Sequence, residues 1–417
     1  MLWLTIVGAV FIAWFLLVVL FAPHIPYHIE GEVDAASDHF VRVIGAACQT
    51  RLTEGNAVEI LTDGPAFYPA MIEAIRGARE TINFECYIFK RGEVADRFVE
   101  ALADRGRAGV RVTLIMDALG SLGSFRRTAA VLRAAGCRVE TYQGPAWYRL
   151  GRLNNRTHRE LLVVDGRTAF IGGAGVADWW AKPTHRGPAW RDLMARIEGP
   201  LVTDIQSIFA ENWLECRGEI LTGTDTYKPQ PKAGTTPGFA VNSSPADRAT
   251  VSRVLFQTLI EGSQRSVRLA TPYFLPDKAF RRAIIRSVRR GVRMTVVVPG
   301  RSTDLRWVRL TSRRMYGELL EAGVRIFEYR PGMTHVKALV VDDLWSAIGS
   351  TNLDNRSFAH NDELNVVLRD ETIAARLTAD LEADMARSDE IVLEVWRQRS
   401  TLEKLVAAAA WILERQQ

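Results

Sequence analysis

Runs of apolar residues alternate with amphipathic stretches in the same order twice along the chain. TINFECYIF (81–89) reads as a strand, VADRFVEALADRGRAG (94–109) as a helix and VRVTLIMD (110–117) as a second strand. SVRLATPYF (266–274), DKAFRRAIIRSVRRG (277–291) and VRMTVVVPG (292–300) repeat that sequence of elements. Strand, helix and strand in alternation predict an α/β fold with mostly parallel or mixed sheets flanked by helices. Between the two series, residues 222–238 (TGTDTYKPQPKAGTTPG) are rich in Pro, Gly and Thr and read as a linker. Duplication of one lobe is the simplest account: a first lobe over 51–221, a second over 239–396, and a pseudo-twofold axis between them.

A finer repeat lies inside each half. THRELLVVDGRTAFIGGAGVADWW (157–180) and THVKALVVDDLWSAIGSTNLDNRSF (334–358) share a histidine, an apolar run, an aspartate seven residues after the histidine, and glycine following the next strand. Asp165-Gly166 is a two-residue hairpin signal between strands at 161–164 and 168–171, and Asp342-Asp343 opens the matching turn into 345–348. His335 and Lys337, two apart on a strand, face one pocket while Val336 points away. The spacing therefore gathers an imidazole, a cation and an orienting carboxylate around one phosphate, with Asp342, of opposite parity, at the strand's end. The first copy carries Glu160 in place of the lysine and Gly175 in place of Asn352. A carboxylate there repels a phosphodiester that a lysine would attract. Glu160 either turns away, pairs with Arg156 or Arg159, or takes up a proton.

His335-x-Lys337-x4-Asp342, then Gly349-Ser350-x-Asn352, with a second His158 and Asp165 about 177 positions upstream, resembles the phospholipase D superfamily, and within it the bacterial cardiolipin synthases. Blocks such as WRDL at 190–193 and ATPYFLPD at 270–277 extend the resemblance over about residues 51–396. It implies two phospholipase D-like lobes sharing one active site. There one imidazole attacks phosphorus to give a phosphohistidine and the other protonates the leaving alkoxide. It names His158, Asp165, His335, Lys337 and Asp342 as catalytic, and Asn352, Ser350 and, against the pattern, Glu160 as substrate-binding. The family's usual order makes His158 the nucleophile and His335 the acid; the reverse stays open. No metal or other cofactor is required in principle. Water as second acceptor would make the enzyme a phospholipase. A second lipid's hydroxyl would make it a phosphatidyltransferase, joining two phosphatidylglycerols into cardiolipin with release of glycerol. A hydrolytic phosphodiesterase and a catalytically degenerate membrane protein are the other readings.

The remaining sequence sets the location. With 417 residues, 47% hydrophobic and 24% charged, the chain is long enough for buried cores and is not disordered. Residues 2–21 carry no charge, and 20 residues at about 1.5 Å each span roughly the 30 Å hydrocarbon core. The expectation is a membrane anchor over 1–23 followed by a connecting segment over 24–50. A cleaved signal peptide competes, but the segment lacks a basic leader and a small-x-small site. Arg42 and Arg51 after the span favour a cytoplasmic catalytic body on a single-pass protein of a bacterial inner membrane. The four cysteines show no metal or redox spacing. A net charge of +5 and the arginines of 281–314, Arg309 and Arg313 foremost, suit anionic phospholipids and a bilayer. Charge alone does not exclude nucleic acid, but none is expected as a partner. The apolar stripe of 397–417 reads as a C-terminal helix docked on the body.

Overall fold

Strand β6 (Leu161–Val164) of the computed structural model is buried on both sides, and its two faces feed different cores. Leu161 and Val163 pack with the helices Leu201–Arg217 and Glu371–Ala386, whereas Leu162 and Val164 pack under Gly64–Gly77 and Glu93–Arg107. The second half repeats the arrangement, with Ala338 and Val340 on one face and Leu339 and Val341 on the other. A sheet with helices on both faces requires such continuous apolar runs, where a half-exposed strand would alternate.

The structure describes residues 27–143, 154–185, 187–245 and 250–400, and scattered residues between 3 and 14. In chain order the remaining strands of the first half are β1 (Thr53–Thr62), β2 (Thr81–Cys86), β3 (Arg111–Asp117), β4 (Arg138–Tyr142), β5 (Arg156–Thr157), β7 (Thr168–Gly172) and β8 (Leu193–Glu198). Those of the second are β9 (Thr236–Ser243), β10 (Ser266–Ala270), β11 (Arg293–Pro299), β12 (Arg325–Tyr329), β13 (Ala338–Val341), β14 (Trp345–Gly349), β15 (Asn361–Arg369) and β16 (Ser388–Glu390). They form one mixed sheet. Read inward from β4 and from β12, which β16 flanks at the edge, the order β4-β3-β2-β6-β7-β8-β1 is matched by β12-β11-β10-β13-β14-β15-β9, and β1 meets β9 in the middle. β2 and β3 are parallel, as are β10 and β11, while the hairpins β6-β7 and β13-β14 run antiparallel beside them.

Two expectations change. β9 begins at Thr236, so the last residues of the 222–238 linker are sheet: Thr236 pairs with Asn56 of β1 and Gly238 with Leu368 of β15. His335 and Lys337 precede β13 rather than lying on it, because the pairing of β10 with β13 starts at Ala338. Their shared side survives: Val336 is fully buried in the central core and the Lys337 ammonium touches the His335 ring. Most of 1–23, and all of 401–417, lie outside the described residues, and among the described residues no helix is long and apolar enough to cross a membrane.

Candidate active site

The hairpin turns decide where the histidines stand. Asp165 and Gly166 both have positive φ (52° and 59°), as do Asp342 and Asp343 (55° each), the combination of a type I′ turn matched to strand twist. Aspartate tolerates the left-handed region better than most residues, and here its carboxylate adds compensation. Asp165 accepts from the amides of Arg79, Glu80 and Thr81 at 2.8–2.9 Å, and Asp342 from those of Gln264, Arg265 and Ser266 at 2.7–2.8 Å. This corrects their expected role. Both are occupied by backbone at the far end of the hairpin, and neither orients a histidine.

The histidines are held instead by carboxylates from the opposite half. His158 Nδ1 lies 3.0 Å from Glu363, at the start of β15, and His335 Nδ1 lies 2.9 Å from Asp192, immediately before β8. Glu363 and Asp192 are fully buried. Backbone crossing produces this exchange. β5 pairs in parallel with Asn361 and Asp362, and the His158 amide donates to the Asp362 carbonyl at 2.9 Å. In the mirror-image place, Arg191 bridges Thr334 and the His335 amide donates to the Arg191 carbonyl at 2.7 Å. A ring whose Nδ1 is taken by a carboxylate presents Nε2 to a ligand.

Each carboxylate is itself fixed. Trp180 Nε1 donates to Asp192 at 3.0 Å and the Leu193 amide at 2.9 Å. Ser350 donates to Glu363, and Asn361 does so at 3.2 Å. Ser350, expected to bind substrate, therefore positions the partner of His158. Asn352 is buried at the same rim, and its Oδ1 has no partner among the described residues. Rings complete the walls: Tyr87 stands edge-on to His158 with centroids 5.1 Å apart, and Trp180 and Trp190 flank His335 at 5.5 and 5.6 Å.

Lys337 joins the two sides. Its ammonium lies 3.1 Å from His335 Nε2 and feels the fields of Asp192, Glu363 and Glu160. Burial lowers its pKa and, together with the Lys337 charge, lowers that of His335. The same ammonium lies 3.0 Å from His335 Nδ1, so it sits over the ring; with Nδ1 turned to Asp192, a neutral His335 carries its lone pair at Nε2. Glu160 makes no ion pair with the Lys337 charge among the described residues, although its field reaches it. One oxygen accepts from the Tyr87 and Ile88 amides at 3.2 and 3.3 Å, and desolvation raises its pKa well above the usual carboxylate range. Of the three fates open to it, pairing with Arg156 or Arg159 is not seen: Arg159 bonds Glu211 and Asn242. Gly175 belongs with Glu160, since a Cβ there would lie 2.5 Å from the Ile88 carbonyl and 2.9 Å from the Glu160 carboxyl.

Sequence reasoning missed Asp192 and Glu363 as histidine partners. Their signal was an acidic residue followed by leucine at the start of the strand beside each hairpin. It placed Arg309 and Arg313 at headgroups, yet both are engaged by Glu328. Glu85, beneath the site, bonds Thr157 and Asn212, and desolvation pushes its pKa up to about 7.

Residues 71–213 and 256–385 match the family described as a cardiolipin synthase, PLD-like domain. Cardiolipin synthase A of Pseudomonas entomophila is 34% identical over 353 residues, 84% of this chain and 73% of that protein. Cardiolipin synthase A of Pseudomonas aeruginosa is 34% identical over 358 residues, 86% of this chain and 72% of its own length. A phosphatidylserine synthase of Haemophilus influenzae has a similar fold, with a TM-score of 0.71 at 15% identity, over 91% of this chain and all of that one.

Proposed function

The chain belongs to the cardiolipin synthase family of phospholipase D-like proteins, and we propose that this phospholipase D-type phosphatidyltransferase joins two phosphatidylglycerols into cardiolipin and releases glycerol. The observation that carries the reading is the crossed pair of histidine–carboxylate contacts, with Lys337 within the field of both carboxylates. Two lobes over 51–221 and 239–396, related by a pseudo-twofold axis, account for it, and the matched strand order supports them.

In the first step one Nε2 attacks phosphorus. The P–N bond forms as the P–O bond to glycerol breaks, and the other imidazolium gives its proton to the departing alkoxide. In the second, a hydroxyl of another phosphatidylglycerol gives its proton back to that imidazole and attacks phosphorus, and the P–N bond breaks. One diester replaces another, so no nucleotide is consumed. Lys337 and Asn352 would stabilise the phosphoryl oxygens as charge gathers. A Glu160 carrying its proton would not repel them. The order carried over from the family has His158 attack and His335 donate. The reverse order draws support from the lowered pKa of His335, whose Nδ1 is turned to Asp192 and whose Nε2 is then left with a lone pair.

The substrates are anionic phospholipids, with no nucleic acid partner, and residues 1–23 would anchor the body to the cytoplasmic face of a bacterial inner membrane. Trp3, Ile6, Val7, Val10, Phe11 and Trp14, helical and exposed, support an apolar environment there. The test is product analysis with labelled phosphatidylglycerol, expected to yield cardiolipin and glycerol in equal amounts. Phosphatidic acid alone would mean hydrolysis, and no turnover by folded protein would overturn the reading. Mass spectrometry of protein quenched at alkaline pH, where a P–N bond survives, locates the phosphohistidine: on His158 for the first order, on His335 for the reverse.

A further inference from the structure

We infer that the mouth of the active site is itself a bilayer-docking surface, in which Leu119, Leu122 and Trp307 enter the acyl boundary and a ring of arginines meets anionic headgroups. The inference rests on the reading of the site as one that takes phospholipids, and adds how the site reaches them.

Leu119 and Leu122 are 52% and 70% exposed, and Trp307 is 40% exposed, although each neighbours a well-packed element. They occupy equivalent places. The first two lie in the loop after β3, and Trp307 lies just beyond the loop after β11, at the ends of these strands nearest the histidines. The loop after β3 is tied to the site: Ser121 and Ser124 donate to the carbonyls of Tyr87 and Phe89, and Tyr87 is the ring on His158. The loop after β11 is tied to it as well, since Asp304 accepts from Tyr273 and its charge acts on His335 and Lys337. Apolar side chains at equivalent places in the two halves, each on a segment tied to the surroundings of a histidine, are a patch with a location, unlike scattered surface leucines.

The charges around this patch choose the occupant. Arg126, Arg127, Arg301 and Arg306 on the same segments, and Arg91 in the loop after β2, are exposed and form no ion pair among the described residues. This contrasts with the arginines farther along, where Arg281, Arg309 and Arg313 are engaged by Glu318 and Glu328. Leucine and tryptophan tips among unpaired arginines fit an anionic membrane interface, where indole rings settle at headgroup depth and basic residues meet negative lipid. A lipid whose headgroup must reach the buried histidines then leaves its tails in the bilayer while the mouth seals over it.

The test uses the full chain in nanodiscs containing phosphatidylglycerol, with a nitrobenzoxadiazole label on Leu122→Cys or Trp307→Cys in a Cys216→Ser background. Arg293→Cys, at the opposite end of β11, is the reference. Labels at 122 and 307 should shift to the blue and be quenched by spin labels on the acyl chains, while the label at 293 should not. Aqueous emission at both rim positions overturns the inference. In parallel, the Leu119→Ser, Leu122→Ser and Trp307→Ser triple variant should lose at least tenfold of its turnover on bilayer lipid. On monomeric short-chain phosphatidylglycerol it should stay within twofold; equal losses on both, or no loss, overturn the inference. Inserted labels on a protein that makes no cardiolipin would sink the enzymatic reading alone, and cardiolipin synthesis with water-exposed labels would sink this one alone.

Discussion

Before β6 the first half of the chain places His158-x-Glu160, and before β13 the second places His335-x-Lys337; the surroundings of each pair have adjusted to that difference. In the second half the ammonium reaches across the His335 ring, and Ser350 and Asn352 carry polar side chains at the rim. In the first half Glu160 folds back onto two backbone amides, and the counterparts of Ser350 and Asn352 are Gly173 and Gly175. Neither glycine leaves room for its counterpart. A Cβ at 173 would lie 3.0 Å from the Lys337 ammonium, and one at 175 would press on Glu160 and the Ile88 carbonyl. The first half has thus given up its own cation and opened space for the other half's. Under the proposed mechanism two histidines are needed, one to attack and one to donate, but a single well-placed lysine can serve the charge.

The comparison breaks first at the histidines. His158→Ala and His335→Ala should each cost about 10³-fold or more in cardiolipin synthesis; a fully active His335→Ala protein would end the two-histidine mechanism. The lysine comes next. Lys337→Met should lower kcat about 10²-fold or more by removing the charge opposite the phosphoryl oxygens, and an equal loss from Glu160→Ala would show that the halves share this task after all. Smaller is the loss of an orienting partner: Glu363→Gln and Asp192→Asn should each cost about 10- to 100-fold and change the pH–rate profile, since the ring loses its anionic neighbour.

The turn aspartates sharpen the contrast between holding the fold and doing chemistry. Asp165→Ala or Asp342→Ala leaves three backbone amides without their acceptor, and should lower unfolding stability by about 2–4 kcal/mol while the folded fraction keeps its kcat. Denaturant melts and activity per folded molecule separate the two. Glu85 adds a pH signature on the same scale. Its folded-state pKa of about 7 stands above the ordinary 4.5, so the native state holds the extra proton. Its contribution is complete below pH 4.5 and is lost as pH rises through 7, on the order of 3 kcal/mol. Glu85→Gln should flatten that fall in stability between pH 5 and 7. The smallest effect belongs to Glu160. Glu160→Gln should stay within about threefold of wild type at pH 7, because burial already pushes the carboxyl towards its neutral form. Glu160→Lys should keep or raise turnover.

Much of this was legible from pattern. Continuous apolar runs of four residues mark β6 and β13 because helices cover both faces of the sheet, and Asp-Gly or Asp-Asp between apolar runs marks a type I′ turn by local backbone preference. The role of Asp165 and Asp342 was not legible. A motif shows that an aspartate recurs seven residues after a histidine, but three amides of the preceding loop, some 80 positions away in sequence, claim its carboxylate. Arg309 and Arg313 misled for a related reason, since helical spacing gives a shared face and says nothing of the Glu328 that β12 sets opposite it.

By itself the sequence determined the elements, their duplication, the two hairpin turns and the imidazoles with their lysine. These follow from side-chain periodicity and turn preference, which act over a few residues. Only the tertiary structure decided that Glu363 serves His158 and Asp192 serves His335, that Glu160 withdraws onto backbone amides, and that Lys337 lies within the field of both orienting carboxylates. Those pairings join residues 143 to 205 positions apart, and they exist because segments entering each hairpin cross to bond the backbone of the other half.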